Sequence, residues 1–356
     1  MEFIVQDALK QSAGKAEDDF VVGHANIKVV GCGGAGINAT DWLYKKGVKG
    51  AEIIGLNTDK LHLDNREADK KILIGRDLTR GLGCGGYPEK GHEAAKESVT
   101  EIKEAIKGGD MVFVCAGLGG GTGTGSAPVV AQLAKDMGCI VIGVVTMPFN
   151  IEKARIDKAE FGLKQLRNVS DTVIVIDNNR LADIAGNLPI QQAFAVANEL
   201  IATMIKGIVE IIAVPSLINL DYADVKAIME KGGVSVIGIG ESDTENKVEE
   251  AVNRALSNPL LDVKYDGATG ALIHITGGPD MTLDEAEKVG ELVTGGLDQD
   301  ANVIWGARID PKFQGKLRVM TIITGVKSPY VLGKMDYARP SERAMEFNRD
   351  LGIEMV

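Results

Sequence analysis

Residues 111–128, MVFVCAGLGGGTGTGSAP, constrain this chain more than any other stretch. The apolar run from Met111 to Ala116 has the length of a short buried strand. Glycines follow at 117, 119, 120, 121, 123 and 125, with Thr122 and Thr124 between them. Ser126 and Pro128 then open a helical pattern through Val129, Val130 and Leu133. Serine is a favoured N-cap and proline suits the first turn, so the spacing predicts a helix beginning there. Glycine loses more backbone freedom on folding than any other residue, so such density is tolerated where backbone N–H groups must converge on one concavity. The helix N-terminus adds partial positive charge and free donors, and the object that fits is a phosphate. A flexible linker would not be flanked by a buried strand and a capped helix.

Two more loops of the same kind precede it. IKVVG, from Ile27, reads as a strand, followed by GCGGAG and a helix from Ile37 to about Lys46. Gly31, Gly33 and Gly36 fit the G-x-G-x-x-G spacing: the first turns the chain, the second admits a phosphate, the third packs helix on strand. Glu52–Leu56 is a second strand, ending in Asn57-Thr58-Asp59. Asp59 is placed either to hold a ribose hydroxyl or to close an Asx turn. TRGLGCGGYP (79–88) is the further loop, before a predicted helix from about Lys90 to Lys107. Three glycine loops after three successive strands fall on the carboxyl edge of a parallel sheet, where such sheets bind ligands. Several phosphates, hence a triphosphate, are implied. No GK[ST] follows any loop, which excludes the P-loop. Backbone donors, helix dipoles and Mg²⁺ held through the phosphates must then meet the charge, with no protein ligand set for a metal.

Strands at Cys139–Thr146 and Thr172–Ile176 complete an α/β, doubly wound parallel-sheet domain over 26–188. Between them, Glu152 and Arg155 share a helical face, where a plain surface ion pair is an alternative to a ligand role. Residues 189–213 read as a central helix. Phe194, Val196, Leu200, Ile201, Ile205, Ile208 and Ile211 cover both its faces, which predicts burial all round. Its length would be roughly 33 Å. Beyond it Asn219, Asp221 and Asp224 bunch at a helix entrance, where aspartate is also an ordinary cap. Residues 214–327 form a smaller α+β domain in which His274 reads as structural. Residues 1–25 read as a polar arm. Residues 328–356 read as a flexible tail with an apolar docking tip at Leu351–Val356.

Net charge is -11 with a pI near 5.0, which argues against nucleic acid or an anionic membrane as partner. Cys32, Cys84, Cys115 and Cys139 show no CxxC spacing and read as free thiols of a reducing cytoplasm. Cys32 and Cys84 lie inside glycine loops, where oxidation would block a ligand. The longest strongly apolar run, Cys139 to Val145, is far short of the roughly 20 residues of a membrane span. The N-terminus reads as lacking a signal peptide.

GCGGAGIN (31–38), NTD (57–59), TRGLGCGG (79–86), GLGGGTGTGSAP (117–128), VTMPF (145–149) and NLDYADV (219–225) together resemble the FtsZ family, the prokaryotic relatives of tubulin. The likeness covers about 26–328, and the ending LGIEMV looks archaeal. The resemblance implies a GTPase that polymerises head to tail into protofilaments and builds the division ring at midcell, its tail engaging membrane-anchor or division proteins. It implies a phosphate site of Gly33, Gly34, Gly119, Gly120, Gly121, Thr122 and Gly123, with Gly85 close by and Asn38 at the edge. Glu152 and Arg155 would reach the ribose, three residues apart where the family usually has four. Phe194 would stack on guanine, Asn198 would bond its polar edge, and Asn178 would line the same pocket. A monovalent cation is a further possible companion of Mg²⁺ and GTP or GDP.

With guanine near the start of the central helix, Asn219, Asp221 and Asp224 lie roughly 30 Å away. A carboxylate must come within about 3 Å of the attacking water, or act through one water. These residues therefore serve the nucleotide of the next subunit: Asp221 and Asp224 orient or deprotonate the water and Asn219 positions it. Two rival readings stand beside this one. A nicotinamide-dependent oxidoreductase rests on GCGGAG and Asp59. A tubulin-like paralogue that shapes the cell would carry nearly the same site.

Overall fold

The computed structural model describes residues 25–214, 216–229, 235–257, 265 and 267–326. The expected arm up to residue 24 and the tail with its Leu351–Val356 tip lie outside the described residues.

The chain begins with β1 (Ile27–Cys32), α1 (Gly33–Lys46), β2 (Ala51–Asn57), α2 (Lys60–Asp64), β3 (Lys70–Leu73) and α3 (Arg76–Thr79). It continues through α4 (Pro88–Glu97), α5 (Val99–Ile106), β4 (Met111–Gly117), α6 (Thr122–Asp136), β5 (Ile140–Met147), α7 (Ala154–Val169), β6 (Thr172–Asp177) and α8 (Asn178–Ala185). The strands form one parallel sheet in the order β3-β2-β1-β4-β5-β6. Met111–Ala116 is buried along its whole length, as expected where helices cover both faces of a parallel sheet. Cys32 pairs with Leu56 on one side and Ala116 on the other, so the loops after β1, β2 and β4 leave the same edge.

The glycine stretches end differently from the sequence expectation. Helix α6 starts at Thr122, four residues before the predicted start. Ser126 is therefore inside it, its hydroxyl donating to the Thr122 carbonyl at 2.7 Å, and Pro128 lies in the helix interior. Backbone contact with α4 is the reason for the glycines. A Cβ on Gly125 would lie 2.0 Å from the Pro88 carbonyl oxygen, and one on Gly91 2.4 Å from that of Gly121. In the first loop Gly31 stays within β1, and the chain reverses at Gly33, whose φ is +71°. Gly36 packs on β4: a Cβ there would sit 2.2 Å from the Cys115 carbonyl oxygen. The single helix expected over 90–107 is divided at Ser98, whose hydroxyl accepts the Gly75 N–H at 3.2 Å. Strand β3 carried no apolar signal, since it is short and only partly buried.

The central helix α9 (Ile190–Ala213, 24 residues) follows. It is not buried all round. Ala197, Ile201, Met204, Ile205, Ile208 and Ile211 are buried, but Phe194 and Val196 are 41% and 36% exposed. The apolar surplus at its start thus faces open space and not the core. On one side α9 packs along α1, where Glu199 accepts from Trp42 Nε1 at 2.8 Å and pairs with Lys46. On the other, Gly207 lets Met320 close on the helix backbone.

The remainder comprises α10 (Tyr222–Met229), β7 (Ser235–Ser242), α11 (Lys247–Leu256), β8 (Gly270–Gly277), α12 (Leu283–Thr294), β9 (Asn302–Ile309) and β10 (Leu317–Thr324). The second sheet runs β7-β10-β8-β9, with β10 antiparallel to β7 and β8, and β9 parallel to β8. This is the α+β unit expected after the central helix. Tyr222 ties it to the first sheet by donating its hydroxyl to the Asp110 carbonyl at 2.8 Å.

Two predictions follow from the packing. Gly125→Ala forces α4 and α6 apart and should destabilise the fold by about 1–3 kcal/mol, read as a lowered urea midpoint. His274 is buried in β8 and its Nε2 has no hydrogen-bond partner among the described residues. Burial, helped by Arg308, holds its pKa down from 6.5 to about 4. The unfolded chain therefore binds the extra proton first as pH falls. Stability should be full above pH 6.5 and decline towards pH 4 by up to about 3 kcal/mol. Unfolding of His274→Leu across that window should show a correspondingly shallower decline.

Candidate functional site

A cavity of about 400 Å³ opens at the carboxyl edge of the first sheet, between α1 and the start of α9. α1 supplies Gly34 and Asn38, and the ends of β4 and β5 supply Gly117 and Thr146. Asn178, the first residue of α8, is set there because Asp177 caps that helix, accepting from the Asn179 N–H at 2.8 Å. Phe194 and Asn198 come from one face of α9, one turn apart. The Phe194 ring meets Phe149 edge-on, with centroids 6.1 Å apart, and is otherwise partly exposed. Asn38 Oδ1 is buried and has no hydrogen-bond partner among the described residues. Five of the residues singled out from sequence, Gly34, Asn38, Asn178, Phe194 and Asn198, are thus brought together on this one cavity.

The glycine loop lies against the same rim without lining the cavity. Gly33 and Gly123 touch: a Cβ on Gly33 would be 2.6 Å from the Gly123 nitrogen. Thr122 and Thr58 share a hydroxyl–hydroxyl hydrogen bond of 2.7 Å. Gly119, with φ +94°, is closed over by the Arg155 carbonyl, and its N–H donates to Thr124 Oγ1 at 2.9 Å. A Cβ on Gly121 would meet that of Cys84 at 2.7 Å, whereas Gly120 faces open space. Gly85 is exposed in the loop over 80–87, which Lys158 braces by donating to the Gly86 carbonyl at 2.7 Å.

Glu152 and Arg155 do not share a helix. Glu152 ends a short 3₁₀ turn and Arg155 begins α7, with the chain reversing at Lys153 (φ +38°) between them. They still form an ion pair of 2.5 Å, while the other Glu152 oxygen accepts the Phe149 N–H at 3.0 Å. Neither lines the cavity. Asp59 caps α2, accepting from the His62 N–H at 3.0 Å, which is the Asx arrangement. His62 itself lines the cavity and was passed over in the sequence. Its signal was position, one turn after a cap in the loop that follows a strand. The oxidation route to a blocked site is also corrected for Cys32. Complete burial pushes its thiol up to about 12, so the reactive thiolate is suppressed.

Asn219, Asp221 and Asp224 lie beyond the far end of α9. Asp221 and Asp224 cap each other: the Asp224 N–H donates to Asp221 Oδ1 at 2.9 Å and the Asp221 N–H to Asp224 Oδ2 at 3.0 Å. Asn219 Oδ1 accepts the Ser216 N–H at 2.5 Å. The preceding Ile218 is pinned to Ala307 of β9 by a reciprocal backbone bridge. Among the described residues no group of three or more His, Cys, Asp or Glu converges as a metal site.

The family model described as the GTPase domain of the tubulin/FtsZ family matches residues 26–186, and the FtsZ C-terminal domain model matches 233–327. The chain is 60% identical over 336 residues to the cell division protein FtsZ 2 of Methanocaldococcus jannaschii, covering 93% of this chain and 88% of that one. Among solved structures it is similar to an empty FtsZ dimer from M. jannaschii, with a TM-score of 0.79 and 47% identity over 94% of this chain and 99% of that one. It is also similar to CetZ2 from Haloferax volcanii in a GTPγS-bound protofilament, at TM-score 0.73 and 25% identity, covering 91% and 98%. These matches, with Asp59 spent on a helix cap, leave the nicotinamide reading without support. A cavity at the carboxyl edge of a parallel sheet, with the glycine loop against its rim, followed by the long α9 and a second matched domain, accords with these matches, which place the chain in the tubulin/FtsZ family, with residues 26–186 as its GTPase domain.

Proposed function

We propose that the protein binds GTP in the cavity between α1 and α9, hydrolyses it between stacked subunits, and assembles head to tail into protofilaments of a division ring. The observation that carries this reading is a separation. The cavity lies at the start of α9, and Asn219, Asp221 and Asp224 lie past its end. From Asn198 to Ala213 the helix rises about 23 Å, far beyond the roughly 3 Å at which a carboxylate acts on an attacking water. Those three residues serve a nucleotide presented by a neighbour.

The cavity suits a guanine nucleotide. The open Phe194 face accepts a purine ring, Asn198 and Asn178 offer amide groups to its edge, and the orphaned Asn38 Oδ1 accepts a ligand N–H or O–H. The phosphates run toward Gly33, Gly34 and Gly119–Gly123, where the N-termini of α1 and α6 have no side-chain cap and offer first-turn N–H groups. Glu152 and Arg155 flank the ribose, and Gly85 backs the phosphate end. Mg²⁺ bound through the phosphates, with no protein ligand set among the described residues, would supply charge neutralisation there. Asp221 and Asp224 each retain a carboxylate oxygen outside their cap bonds, available to the incoming water. Asn219 sets the position of that water.

Apolar side chains stand exposed at both ends of the molecule. Leu61, Leu82, Ile151 and Ile190 surround the nucleotide edge; Leu217, Ile218, Trp305 and Ile309 surround the aspartate loop. Two unlike faces that complement each other generate an open filament. The dimer and protofilament forms of the similar structures support self-association. The relatives named for cell division support a place at the division site, and we assign docking of membrane-anchor or division proteins to the apolar tip Leu351–Val356.

Turnover tests the reading. GTP hydrolysis per subunit should climb with protein concentration above a threshold, whereas full activity in demonstrably solitary subunits would refute an interfacial site. Asp224→Asn keeps an acceptor for the Asp221 N–H, so it should fold, bind GTP and assemble. Its turnover should fall at least about 100-fold.

A further inference from the structure

We infer that His62 is a nucleotide-binding residue that donates its Nε2–H to a phosphate oxygen in the α1–α9 cavity. The inference rests on the GTP reading of that cavity and adds a contact that reading does not use.

A chain of hydrogen bonds determines where the imidazole carries its proton. The Thr58 backbone N–H can only donate, and it donates to Asn57 Oδ1 at 2.9 Å. That contact orients the Asn57 amide, so the group it turns to His62 is the NH₂. Asn57 Nδ2 lies 3.3 Å from His62 Nδ1, which must then be the accepting nitrogen. In the neutral ring the proton is left on Nε2. Burial and the nearby Arg66 hold the His62 pKa below its ordinary value, against the opposing pull of Asp59 and Asp41. Near pH 7 the side chain is therefore a neutral ring with one donor.

The position of that donor is equally constrained. His62 is held through its own N–H by the Asp59 cap, and the next residue, Leu63, is buried against the first sheet's core. Nε2 hangs over the start of α1: a Cβ built on Gly34 would lie 3.9 Å from it. Gly34 is exposed and lines the cavity, as His62 does. An anion seated on the first turn of α1 receives backbone N–H groups from one side and the Nε2–H from the other. A neutral donor here bonds a phosphate oxygen without adding a cation to the site.

Affinities of fluorescent GTP, GDP and guanosine for the full-length protein test the assignment. His62→Ala should weaken GTP at least about tenfold, as expected for a hydrogen bond to a charged group, and leave guanosine within twofold of the wild type. A loss confined to GTP places the contact on the terminal phosphate; a loss shared by GDP places it on an inner one. Unchanged GTP affinity, or an equal loss for GTP and guanosine, overturns the inference. Wild-type protein that binds none of the three overturns the GTP reading itself.

Discussion

The molecule depends on the direct contact of backbones at the carboxyl edge of the first sheet. Gly33 on Gly123, Gly36 on Cys115, Gly125 on Pro88 and Gly91 on Gly121 are approaches that no side chain permits. They join the loops after β1 and β4 to helix α4, which follows β3 and α3. Each loop alone would be a costly, mobile segment. Interlocked, they are rigid, and their helix-terminal N–H groups have a fixed direction. The same glycines therefore meet two demands that are usually separate: close packing of helices and a polar surface made of main chain.

Helix α9 separates the cavity from the aspartate loop. It is too long for its two ends to share one reaction, and its middle is gripped by both domains through Glu199 on α1 and Met320 on β10. A helix so clamped transmits displacement as a rod. Its exposed start at Phe194 borders the cavity, and its far end leads into the loop bridged to β9 at Ala307. The cavity at one end and the aspartate loop at the other are thus joined through one element gripped at its middle.

Much of this was legible in the sequence, for a physical reason. The parallel sheet announces itself because its strands are buried on both faces and read as apolar runs, as Met111–Ala116 and Thr172–Ile176 do. The glycine loops were readable as a site because glycine at that density has few other uses. Less legible was what each glycine does. Pattern assigned Gly31 to the turn and Ser126 to the helix cap, whereas Gly33 turns the chain and α6 begins at Thr122. Those outcomes depend on α4 crossing α6, a contact between segments far apart in sequence. Phe194 and Val196 were counted as core by periodicity alone, which does not reveal where neighbours stop. His62 was missed because a lone histidine carries no pattern; its meaning comes from Asn57 and Gly34 being folded around it.

Under the proposed function, a structural role and a chemical one coexist on the carboxylates of the aspartate loop. Asp221 and Asp224 exchange backbone hydrogen bonds in a reciprocal cap, so their positions are fixed before any neighbour arrives. A carboxylate has lone pairs for several donors, and one cap bond apiece leaves a second oxygen unspent. Preorganisation of this kind lowers the entropic cost of assembling a reaction centre from two molecules. The capping reading and the catalytic reading are therefore not alternatives. Under the proposed function, the cap lets a subunit carry a rigid half-site to the edge of the next.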